Sequence, residues 1–87
     1  HAAPLTAFEV YPDPNDGMVS VSLRADVPVT WHIDVTNVLG QVLYSYEESQ
    51  PATRIQHMID IRSAAPGMYL IRVRSGAVSW TRQIIRR

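Results

Sequence analysis

Eighty-seven residues with 46% hydrophobic and 18% charged side chains have the composition of one small folded domain rather than of a disordered tail. No apolar run exceeds about four residues, far short of the roughly 20 needed by a membrane-spanning helix, and no basic cluster leading into an apolar stretch marks a signal peptide near the start. With no cysteine, disulfide scaffolds, thiol nucleophiles and cysteine-type zinc sites are excluded, and zero net charge with a pI near 7 argues against nucleic-acid binding through bulk electrostatics.

Residues 1–7 read as a linker or cloning remnant ahead of a domain spanning 8–87. From Phe8 onward apolar residues recur at period two, and period 3.6 is sustained nowhere, so the chain is predicted to be all-β. Phe8 and Val10 open the series. Tyr11-Pro12-Asp13-Pro14-Asn15-Asp16-Gly17 interrupts it as a turn: Pro12 and Pro14 fix φ, Asn15 and Asp16 can bond the backbone, and Gly17 is free to take positive φ. The same stretch is one residue short of a D-x-N-x-D-G calcium loop and has no glutamate near position 24, so the turn is the better reading.

Val19, Val21 and Leu23 make a second strand. The clearest one runs from Val29 to Thr36, with Val29, Trp31, Ile33 and Val35 facing a core and Thr30, His32, Asp34 and Thr36 facing water. A loop Asn37-Val38-Leu39-Gly40 then sets Val35 opposite Val42, Ile33 opposite Tyr44 and Trp31 opposite Tyr46. Ile55, Ile59 and Ile61 define the next strand, with His57 in the same phase as a sandwich-edge or hydrogen-bonded core histidine. Tyr69, Ile71 and Val73 follow. A Ser75-Gly76 turn would set Arg74 opposite Ala77, Val73 opposite Val78, Ile71 opposite Trp80 and Tyr69 opposite Arg82, with the last strand running on to Ile84. Seven short antiparallel strands in under a hundred residues predict an immunoglobulin-like β-sandwich, with an open barrel as the structural alternative.

Charge is segregated along the chain. Residues 1–60 hold all eight acids against Arg24 and Arg54, and residues 61–87 hold Arg62, Arg72, Arg74, Arg82, Arg86 and Arg87 with no acid. The sequence contains no GxSxG, Walker A, HExxH or dinucleotide fingerprint, and a core this small leaves little room for a substrate cavity, so the chain is not expected to be an enzyme or to need a cofactor. His32 and Asp34, about 7 Å apart on one strand face, are the best metal pair but lack a third ligand, so no metal is expected.

Four motifs carry a resemblance. Tyr11-Pro12-Asp13-Pro14-Asn15-Asp16-Gly17 resembles the "YPNPxxG" opening of the C-terminal sorting domains of the type IX secretion system of Bacteroidetes-type bacteria. Val38-Leu39-Gly40-Gln41-Val42-Leu43-Tyr44 is similar to their "xLGQxVY" hairpin, and Ala65-Pro66-Gly67-Met68-Tyr69-Leu70-Ile71-Arg72-Val73 to their "LPxGxYxxxV" strand. Arg82-Gln83-Ile84-Ile85-Arg86-Arg87 resembles their basic-basic-Ile-Ile-basic-basic ending. The four stand in the family's order. Asp13 replaces the usual asparagine, and arginine replaces the usual lysine, which keeps the charge and changes its hydrogen-bond geometry.

The resemblance implies a sorting tag at the end of an exported protein. Such a domain is covalently joined to an N-terminal cargo, is read by the type IX translocon in the periplasm, and is removed at the cell surface by a sortase-like cysteine peptidase cutting here within or before residues 1–8. The cargo then stays on the surface or is released. Neither nucleic acid nor membrane insertion is implied. In that role Arg72 and Arg74, outward on the penultimate strand, with Arg82, Arg86 and Arg87, would form a basic docking face entered through Gly67, and Tyr69 would hold Arg82 by a cation–π contact. The rival reading, a fibronectin-like spacer or carbohydrate-binding module, would need for sugar an exposed aromatic platform, yet Tyr11 is the one ring expected outside the inward phase.

Overall fold

A computed structural model describes residues 5–12, 14–76 and 78–87. Each predicted series of alternating side chains contributes a strand: β1 (Leu5–Tyr11), β2 (Met18–Val29), β3 (His32–Asn37), β4 (Val42–Glu47), β5 (Ala52–Asp60, ending before the expected Ile61), β6 (Gly67–Ser75) and β7 (Val78–Arg86). They form a three-stranded sheet in the order β1-β2-β5 and a four-stranded sheet in the order β4-β3-β6-β7, antiparallel throughout. Strand β1 starts at Leu5, ahead of the expected Phe8.

One face of each sheet feeds a shared core. Val19, Val21 and Leu23 of β2 and Ile55 and Ile59 of β5 meet Ile33 and Val35 of β3, Tyr69, Ile71 and Val73 of β6 and Ile84 of β7. Each such side chain gains roughly 1.5–3 kcal/mol on burial. Trp31 is fully buried among them, and its indole N–H donates to the carbonyl of Ala52 at 3.1 Å, so its polar edge is satisfied inside the core. Trp31 lies between β2 and β3, so the expected strand Val29 to Thr36 is divided: Val29 closes β2 in one sheet and His32 opens β3 in the other. Pro28 falls where the β2–β5 register shifts, a place that asks for no ladder donor.

The inward phases are as expected except at Val42, but both predicted hairpin registers are corrected by two residues. In the β6–β7 hairpin Ser75 pairs with Val78, Arg74 with Ser79, Val73 with Trp80, Ile71 with Arg82 and Tyr69 with Ile84. Ser75 still belongs to β6, so the turn starts at Gly76, with φ at 61°, one position later than in a Ser75-Gly76 turn. The predicted partner Ala77 lies outside the described residues. In the β3–β4 hairpin Val35 pairs with Tyr44 and Ile33 with Tyr46, and the register shifts between Val35 and Thr36. Leu43 is therefore a bulge, and Val42 is placed beside Thr36 on the outer face, 55% exposed, instead of entering the core. Asn37 drives this turn: its Oδ1 accepts from the backbone N–H of Leu39 at 2.9 Å and of Gln41 at 3.0 Å, while its own N–H donates to the Gln41 carbonyl.

Candidate docking surface

Strands β1, β3, β5 and β7 end, and β2, β4 and β6 begin, at one pole of the sandwich. That pole collects all four sequence motifs. The turn residues 14–17, the 38–41 hairpin loop holding Gly40, the 61–66 loop leading to Gly67 and the end of β7 all lie there, and backbone bonds join the first, the third and the fourth.

A clasp joins the first motif to the last. Asn15 is fully buried; its N–H donates to the Ile85 carbonyl at 2.9 Å, and its carbonyl accepts from Arg87 N–H at 2.7 Å. Its side-chain oxygen accepts from Gly17 N–H at 2.9 Å, and the Gly17 carbonyl in turn accepts from Ile61 N–H at 2.7 Å. Arg86 completes the knot from β7: its guanidinium donates to the carbonyls of Ile61 at 3.2 Å, Arg62 at 2.9 Å and Arg87 at 2.7 Å. Arg87 reaches Asp16 at 3.5 Å. The Tyr11–Pro12 bond is cis, Pro14 is exposed, and Asp13 lies outside the described residues.

The six candidate side chains after Pro66 thus separate by role. Tyr69 is buried with its hydroxyl donating to the Ala65 carbonyl, which ties the start of β6 to the preceding loop. The expected Tyr69–Arg82 contact is corrected by the two-residue register change. Arg82 stands opposite Ile71, and its guanidinium carbon lies 5.1 Å from the centre of the Phe8 ring on β1, linking one edge of each sheet. Arg86 and Arg87 serve the clasp. Arg72 and Arg74 point outward from β6, opposite Thr81 and Ser79. Arg72 is exposed with no ion pair among the described residues, and Arg74 touches Asp34 at 3.3 Å.

Beside these two arginines the same outer face carries an apolar strip that the charge pattern does not reveal. Met68 pairs with Ile85, both exposed, and Leu70 pairs with Thr36. Thr36, Gly40, Leu70, Arg72 and Thr81 line a shallow cleft of about 200 Å³.

Asp34 is not on a wet face. It is 4% exposed because β3 is central in its sheet, and Ser45 of β4, Arg74 of β6 and His32 of its own strand close around it. Its Oδ1 accepts from Ser45 Oγ at 2.9 Å and lies 3.0 Å from His32 Nε2, so the two residues weighed and set aside as a metal pair bond each other directly. Burial would raise this carboxyl, but the Ser45 and His32 hydrogen bonds and the charges of His32 and Arg74 together hold it below its ordinary value. At the opposite edge, His57 of β5 stacks on Tyr46 with ring centres 3.8 Å apart and bonds the Tyr44 hydroxyl, closing the gap between the sheets. Burial pushes the His57 imidazole below its ordinary 6.5, against a smaller pull from Glu48.

These shifts set the acid response. A histidine with a depressed folded pKa takes up its proton more readily when unfolded, so stability falls as pH drops below about 6.5. Asp34, and Asp60 held down at about 2 by Arg62, contribute stability that is present above the ordinary carboxyl range and lost as pH falls through their folded values. Urea midpoints measured against pH should therefore decline in two steps. His57→Gln should remove the upper step and Asp34→Asn should reduce the lower one; an unaltered profile in both variants would refute the assignment.

Compared with known families, residues 9–87 match the one described as secretion system C-terminal sorting domain. The match covers nearly the whole chain, and the class is that of domains that address proteins to a secretion system rather than of catalysts. The chain belongs to this family, the C-terminal sorting domains of type IX secretion, whose parent proteins are exported to the cell surface or beyond. Comparison with individually curated proteins gives no match.

Proposed function

We propose that this domain steers a cargo joined ahead of Leu5 through the type IX translocon and across the outer membrane, after transit through the periplasm, and that a surface peptidase then releases it by cutting near residues 1–8. The observation that carries the reading is the convergence of four motifs, spread from Tyr11 to Arg87, on one pole. The first and the last of them are bonded to each other through Asn15, which makes the end of β7 part of that surface. The translocon reads the folded pole and the outer strand face beside it. Arg72 and Arg74 supply charge, Met68 and Leu70 supply apolar contact, and Gly67 opens the strand. Tyr69, Arg82, Arg86 and Arg87, with the turns at Pro12, Pro14, Gly17 and Gly40, keep that surface in shape.

The sandwich is immunoglobulin-like in this reading. The buried Trp31 just ahead of β3 and the Tyr69 hydroxyl bonded back to Ala65 are in keeping with two hallmarks of that fold, and the chain changes sheets between β2 and β3, β4 and β5, and β5 and β6. A sugar-binding role finds no platform, since among the described aromatic residues Tyr11 alone is exposed.

A reporter carrying an export signal and residues 1–87, placed in a type IX-competent host matched to the parent protein and in its translocon-deficient twin, tests both levels. Surface delivery is expected in the competent host only. Arg72→Gln combined with Arg74→Gln should keep the tryptophan emission of the folded domain and leave the reporter in the periplasm. Delivery of the folded double variant would remove the docking face and spare the sorting role; periplasmic retention of the unmodified fusion would remove the role itself.

A further inference from the structure

The two basic residues of the acidic part of the chain are brought together by the fold. Arg24 of β2 and Arg54 of β5 are direct cross-strand partners, both exposed on the outer face of the three-stranded sheet. Like charges placed opposite one another in an antiparallel pair destabilise it. Neither guanidinium has an ion pair among the described residues. Arg54 lies on an edge strand, where a charge can guard against pairing with another chain. Arg24 lies on the central strand, where no such task exists.

The surroundings are shaped as well as charged. Both ladders break beside this row: the β1–β2 register shifts between Leu5 and Ala7, and the β2–β5 register shifts between Arg24 and Val29. Bulges of this kind re-aim side chains next to sites. Here they open a cleft of about 320 Å³ lined by Arg24, Ala25, Asp26, Thr53 and Arg54. On the β1 side the neighbour of Arg24 is Ala7, too short to cover it.

We propose that Arg24 and Arg54 form an anion site that takes a phosphate group. Two forked guanidiniums match a tetrahedral dianion with several acceptor oxygens better than a planar carboxylate, which one fork satisfies. The cleft is open to solvent, which leaves room for the phosphate to be carried by a larger molecule, a soluble phosphate ester or a lipid headgroup. Asp26 on the rim opposes binding and limits it to weak, reversible affinity. The site lies at the end of the sandwich where β1 enters, away from the motif pole, and does not depend on the sorting role.

The test titrates inorganic phosphate into the 87-residue chain at constant ionic strength, following the backbone amide and arginine side-chain N–H signals by NMR. Saturable shifts confined to Arg24, Arg54 and Thr53 are expected. Arg54→Gln and Arg24→Gln should each weaken binding by about tenfold, as loss of a charge-assisted hydrogen bond does, and Asp26→Asn should strengthen it about threefold. Arg54→Glu supplies a check without ligand, since an opposite pair facing Arg24 should raise the melting temperature in chloride and abolish the phosphate response. Co-sedimentation with phosphatidic acid vesicles, and not with phosphatidylcholine, would assign the group to a headgroup; phosphate binding without co-sedimentation would assign it to a soluble ester. Absence of saturable shifts, or an unchanged affinity in the two glutamine variants, would overturn the proposal.

Discussion

Replacing Gly17 with alanine is expected to cost about 3 kcal/mol and to lower the melting temperature by about 15 °C. A Cβ there would stand 2.7 Å from Arg62 Cγ and 2.8 Å from Arg62 Cα, and the second of these is main chain that cannot swing aside. The close approach is enforced by the bond from Ile61 N–H to the Gly17 carbonyl, and φ at 110° adds conformational strain for any other residue. Gly40→Ala is the control. Its φ of 86° carries a similar backbone penalty, but nothing lies within 4 Å of the new methyl, so the loss should stay near 1 kcal/mol. Thermal melts of the two variants measure the difference, and equal losses would show that the Arg62 contact relaxes freely.

Ending the chain after Ile85 should be nearly as costly, at about 3–4 kcal/mol, out of the 5–15 kcal/mol typical of a folded domain. The Asn15 carbonyl would lose the Arg87 N–H, and the carbonyls of Ile61 and Arg62 would lose the Arg86 guanidinium, at a pole where Asn15 is fully buried. Arg72→Gln should change stability by less than about 0.5 kcal/mol, because that side chain is exposed and has no ion pair among the described residues. Circular dichroism melts separate the two. The contrast bears on any export assay, since a truncated tail that fails to sort would report first on a loosened clasp, whereas a folded Arg72 variant that fails to sort reports on recognition. A truncated chain as stable as the intact one would remove the clasp from the account.

Alternation made the strands and their inward faces legible in the sequence, because a pleated strand repeats every two residues whatever lies beside it. For the same reason it could not fix the registers. Sliding β7 past β6 by two residues exchanges Trp80 for Arg82 opposite Ile71 and returns every side chain to the face it came from, so Gly76 had to decide. Slips of an odd count are visible as a change of face, and the Leu43 bulge is one: it carried Val42 out of the core while Tyr44 stayed in. Burial of Asp34 depends on β3 being central, which alternation does not encode. The candidate arginines were legible as a charge run, but which of them are spent on backbone carbonyls was not. That depends on Asn15 reaching Ile85 and Arg87 across most of the chain, and a turn motif such as Pro14-Asn15-Asp16 announces its local geometry without naming its distant partner.

The strand count has a geometric consequence. Because the strands among the described residues run alternately up and down and number seven, the backbone enters the sandwich at one end and leaves it at the other. An even count would have returned it to its starting side. Anything fused ahead of Leu5 is therefore held about 30 Å, the length of a nine-residue strand, from the loops gathered around Asn15. A bulky passenger and a receptor gripping those loops can occupy the domain together without competing for space.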